Sequence, residues 1–122
     1  MEMPLPELID RLVIVRLKAE RIKDKEKEKE LKFYMEELEE YRKNGFLIKD
    51  EWLERLYDVN GKIWDLEADI RKGKEGELGL NEVGKRAIEI RNLNKIRITI
   101  KNEITEITGS GFKDVKVNHA SE

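Results

Sequence analysis

Residues 5–44 read LPELIDRLVIVRLKAERIKDKEKEKELKFYMEELEEYRKN, and how this stretch divides decides the fold. Leu5, Leu8, Leu12, Val15, Ala19 and Ile22 recur at alternating spacings of three and four. That is the repeat of a helix with an apolar seam. Ile9, Val13 and Leu17 add a second stripe, so the helix is apolar over a wide face. Pro4 and Pro6 suit its start, where no intrahelical amide bond is lost. Residues 23–30, KDKEKEKE, contain neither Gly nor Pro, and each tolerates a helix. Leu31, Met35 and Leu38 restart an apolar face beside Phe33, Tyr34 and Tyr41, and Asn44-Gly45 is a stop signal. The spacing predicts one helix over about 5–44, roughly 60 Å long at ~1.5 Å per residue. A break within 23–30 would instead fold the first segment back and give a four-helix monomer.

The rest of the chain repeats the helical period. Asp50 is placed to cap a second helix over about 50–72, in which Trp52, Leu56, Val59, Ile63, Leu66 and Ile70 alternate spacings of four and three. Asn60-Gly61 is a strong hairpin signal elsewhere, but the register runs through it. Gly61 costs about 1 kcal/mol relative to alanine there and permits close approach of a neighbouring helix. Residues 73–80, with Gly73, Gly76 and Gly79 among charges, read as a linker. They lack the GK[ST] ending and preceding strand of a phosphate loop. A third helix follows over about 81–108, with Asn81 as its cap and Val83, Ala87, Ile90, Leu93, Ile96, Ile100, Ile104 and Ile107 as its stripe. Ile96, Ile98 and Ile100 also alternate as in a half-buried strand, but a lone strand would have no partner.

The expected fold is therefore all-α: long antiparallel hairpins forming a three-helix bundle or coiled coil over residues 1–109, with a tail over 110–122. Antiparallel pairing across 73–80 places Asn60 near Asn94, Trp64 near Ile90 and Glu67 near Arg86. Across 44–50 it places Leu38 near Leu56 and Leu31 near Ile63. In the straight-helix reading helix one extends past the bundle. Its seam, Leu5, Leu8, Leu12, Val15, Ala19 and Ile22, is then left to water, and an exposed patch of that size implies association. A two-fold homodimer through those six residues is the expectation.

Composition bounds the function. With 39% hydrophobic and 43% charged residues in 122, the chain suits solvated helices around a thin core. Lys and Arg (25) nearly balance Asp and Glu (27), so no net field draws nucleic acid or an anionic membrane. The interleaving of Glu with Lys cancels a basic stripe, and Trp52 and Trp64 sit on or beside apolar seams, which favours packing over base stacking. There is no cysteine, and the single histidine is His119, so no disulfide and no histidine-based metal site is expected. No apolar run approaches the ~20 residues of a membrane span, and the start does not read as a signal peptide. The expected location is the cytoplasm, with no cofactor.

What stands out is polarity where a seam should be. Asn60, Trp64, Glu67 and Arg71 share one helical face, and Asn94, Arg97 and Lys101 share another. These seven are the candidate ligand-binding residues. Register control and interhelical bridging are the plainer account of them. Glu36-Glu37-x-x-Glu40 matches the EExxE half of the magnesium motif of all-α nucleotide pyrophosphohydrolases. The ExxD half is missing: Glu51, Glu54 and Glu67 are followed three residues on by Glu54, Tyr57 and Ile70.

PELIDRLVIVRLKAERI, LYDVNGKIWDLEADIRKG and IRNLNKIRITIKNEI resemble a family of short bacterial and archaeal proteins of unknown function, over about Pro6 to Ile107. Its members tend to be encoded among genes for sugar and cell-surface polysaccharide synthesis. The resemblance implies a helical fold and a glycan-related context, and it carries no catalytic residue. The sequence thus favours an oligomeric helical interaction or structural protein. The alternative is a small-ligand or pyrophosphohydrolase-like enzyme using Glu36, Glu37, Glu40 and Glu67.

Overall fold

The computed structural model describes residues 3–71 and 75–111. It is all-helical, with four helices where three were expected: α1 (Leu5–Ile22), α2 (Lys25–Lys43), α3 (Asp50–Arg71) and α4 (Glu75–Thr108). The difference lies at two residues. Lys23 takes a left-handed conformation (φ 60°, ψ 40°) and its N–H bonds back to the Ala19 carbonyl, closing α1. Asp24 is extended, and its carboxylate accepts from the Glu26 N–H, opening α2. Asp24 followed by acids at Glu26 and Glu28 is an N-terminal signature lying within an apparently uniform charge run.

The break removes the premise of an exposed seam. Leu5, Leu8, Leu12 and Val15 are buried in the core of their own chain, Ala19 is half-buried, and only Ile22 is largely exposed (58%). Folded back, α1 becomes the central helix and meets α2, α3 and α4. Its wide apolar face now has a reason, since a helix surrounded on several sides must be apolar on several sides. Each fully buried leucine there contributes on the order of 1.5–3 kcal/mol relative to exposure.

α2 packs on α1 rather than pairing along α3. Leu31 and Leu38 line a groove with Leu12 and Leu53, and Leu38 shares one core cluster with Leu56 and Ile63, against which Leu31 packs. Only Tyr34 and Leu38 of α2 are buried. α3 packs on α4, where Trp52 and Arg55 reach Glu103, and Asn60 and Arg97 meet on one carboxylate. Residues 96–100 are helical. The helix at the 73–80 linker starts earlier than predicted, at Glu75, but Gly79 (φ 81°, ψ 159°) kinks it, so the long regular stretch begins close to residue 81. Residue 72, the last of the predicted second helix, and residues 112–122, with His119, lie outside the described residues.

Gly61 is buried against α1. A Cβ there would lie 3.3 Å from Arg21 Nη2 and 3.8 Å from Leu17 Cδ2, so the missing side chain does permit close α1–α3 approach. At the other end Ser110 Oγ accepts from the Leu5 N–H (2.9 Å), joining the end of α4 to the start of α1.

Candidate functional site

The polar residues of α3 and α4 converge on an acid that the sequence reading did not single out. Asp10 of α1 is 1% exposed. Its Oδ1 accepts from Asn60 Nδ2 (3.0 Å) and Arg97 Nε (3.0 Å), and its Oδ2 from Arg97 Nη2 (2.6 Å). Lys101 Nζ stands 3.8 Å from Oδ2 and bridges to Glu7 at 2.7 Å. Asn60 also donates to the Leu56 carbonyl (2.9 Å), and Arg97 Nη1 reaches Asn94 Oδ1 at 3.4 Å. One cluster thereby ties α1, α3 and α4 together.

Electrostatics follow from this geometry. Hydrogen bonding to Asp10 holds the Arg97 guanidinium above its ordinary pKa, against the opposing effect of burial. Glu7 and Glu67 reinforce the shift. Both Asp10 oxygens are engaged by donors from Asn60 and Arg97. A proton-transfer role would need a free oxygen and an open approach.

Trp64 and Glu67 join Asn60, Asn94 and Arg97 around a cleft of about 460 Å³, closed on the α1 side by Ile14, Leu17 and Lys18. A smaller cavity of about 290 Å³, lined by Asp10, Arg11 and Glu30 among others, shares Ile14, Lys18 and Arg97 with it. Five of the seven candidates thus line one cleft, and Lys101 stands behind Arg97 on Asp10. Arg71 ends α3, but its side chain lies outside the described residues. Asp10 had a signal in the sequence. Pro6, Val13, Ile14 and Leu17 flank it at i−4, i+3, i+4 and i+7, so an acid sits within an apolar helical face.

The carboxylates of the pyrophosphohydrolase reading do not gather. Glu36, Glu37 and Glu40 border grooves beside α2, whereas Glu67 lies in the cleft between α1, α3 and α4. Among the described residues no three His, Cys, Asp or Glu side chains are grouped to hold a metal ion, and no helix is long and apolar enough to cross a membrane.

A second polar cluster links α3 to α4. Glu103 accepts from Trp52 Nε1 (2.9 Å) and Arg55 Nη1 (3.1 Å). The Trp52 hydrogen bond, followed by the charge of Arg55, holds the Glu103 carboxyl below its usual pKa, against desolvation. On the α1–α3 surface, Tyr57 donates to Glu20, and Arg16 both pairs with Glu20 and lies over the Tyr57 ring at 4.5 Å. Comparison with protein-family models, curated proteins and solved structures finds no match.

Proposed function

We propose that this chain is a helical interaction or structural protein that works by association, its simplest partner being a second copy. The observation that carries the reading is the outer face of α4. Ile90, Leu93, Ile100 and Ile104 pack inward, yet Ile88, Ile96 and Ile107 stay 53%, 47% and 45% exposed. Ile96 and Ile107 lie eleven residues apart, about three turns, and so share one side of the helix. The cleft supports the same reading, because Asp10, Arg97, Asn60 and Lys101 are engaged in joining helices. The cytoplasmic location and glycan-related context expected from the sequence belong to this proposal. They rest on the composition and on the resemblance.

Light scattering coupled to size exclusion tests it. Prepared without a denaturation step, the wild type is expected as a dimer at micromolar concentration, and Ile96→Glu with Ile107→Glu as a folded monomer. A wild type that is monomeric at every concentration refutes association through this face.

One observation favours a second reading, a small anionic ligand in the cleft. Lys18 is half-buried, lines both cavities beside Arg97, and makes no ion pair among the described residues. Inorganic phosphate and simple sugar phosphates would then raise the melting temperature of the wild type and not of Lys18→Met.

A further inference from the structure

The α1–α2 connection has the features of a hinge through which two copies can exchange a helix. It is two residues long, and neither is Gly. Lys23 has the only positive φ of any non-glycine residue among those described. That conformation is disfavoured for an L-residue by roughly 5- to 30-fold. No residue from Glu7 to Asn44 is Gly or Pro, so nothing covalent prevents α1 and α2 from running as one helix. The closed turn persists because it returns α1 to the space between α2, α3 and α4.

Straightening the turn withdraws α1 from that space and leaves two complementary surfaces, an apolar helix and the faces of α2, α3 and α4 that it covered. A second copy straightened in the same way supplies both. We propose that this chain forms an exchanged dimer. Residues 5–43 become one helix in each copy, and each α1 inserts among α2, α3 and α4 of the other. The contacts of the closed chain are remade between copies, while the left-handed residue is relieved at both hinges. Asp10 of one copy then accepts from Asn60 and Arg97 of the other, so the central polar cluster is completed only by the pair. Ile22 adds a further argument. It is 58% exposed in the closed chain and adjoins the hinge, where the two straightened helices cross.

Exchange of α1 does not use the outer face of α4, and crosslinking separates the two modes of association. The chain has no cysteine, so introduced pairs report cleanly. Arg16→Cys and Lys32→Cys line one groove between α1 and α2. They would be placed together in an Ile96→Glu/Ile107→Glu background, refolded from denaturant at high protein concentration, and joined with a short bismaleimide. Exchange gives two chains linked on a denaturing gel; side-by-side association gives links within single chains. Lys23→Gly suits the closed turn and is expected to lower the dimer-to-monomer ratio at least 5-fold. Lys23→Ala/Asp24→Ala removes the cap, favours the continuous helix and is expected to raise the ratio at least 10-fold. Monomer throughout, dimers with only intrachain links, or a ratio that Lys23→Gly leaves unchanged overturns the proposal. If the double variant does not fold, the wild type against Lys23→Gly still decides it.

Discussion

Asp10→Ala is the perturbation that most directly tests whether the central cluster holds the fold together. The substitution deletes a carboxylate that is 1% exposed and strips a partner from Arg97, Lys101 and Asn60 at once. Removing one member of a buried ion pair costs about 3–5 kcal/mol, chiefly because the surviving charge is left uncompensated. The side chains of Arg97 and Lys101 remain 29% and 20% exposed, so water hydrates them in part and the lower end applies. The Asn60 amide, left with the Leu56 carbonyl alone, adds at most about 1 kcal/mol. A total near 4 kcal/mol is a large share of the ~5–15 kcal/mol available to a domain. At an urea slope of ~2 kcal/mol per molar, the midpoint falls by about 2 M. Urea titration followed by tryptophan fluorescence reads this directly. Asp10→Asn preserves the shape and loses the charge, and should fall between wild type and alanine. A double-mutant cycle with Arg97→Ala is expected to show coupling of about 1–3 kcal/mol. A loss below 1 kcal/mol, or strictly additive effects, would refute the argument. A gain in stability would show instead that the cluster costs stability.

Other outcomes follow from single contacts. Glu103 has its folded pKa lowered by Trp52 and Arg55, so its contribution is fully present above the unfolded value of about 4.3 and disappears as pH falls through the lower folded value. Glu103→Gln should therefore be less stable than wild type at neutral pH, with the gap closing in acid; urea midpoints that differ equally at pH 7 and pH 2.5 would contradict this. Gly61→Ala should stabilise by a few tenths up to about 1 kcal/mol in a thermal melt, because the helix gains propensity and the nearest atom, Arg21 Nη2, ends a flexible side chain. A loss above 1 kcal/mol would show that Arg21, bonded to Asp65 and lying over Trp64, cannot yield.

Legible in the sequence were the all-helical class and the polar faces of α3 and α4, whose Asn60, Trp64, Glu67, Asn94 and Arg97 line one cleft. All of these rest on the helical period, which is local. Trp64, Glu67, Asn60, Asn94 and Arg97 could be placed opposite one another because two helices joined by a short link have few ways to pair. Tertiary structure decided the break at Lys23 and Asp24. No propensity in KDKEKEKE demands it, and the left-handed lysine is tolerated only because folding back buries Leu5, Leu8, Leu12 and Val15. It also decided that Asp10 is the centre of the cluster. An acid on an apolar face says that a partner is needed, but Arg97 lies 87 residues away, and only the packing of α1 against α3 and α4 brings it there.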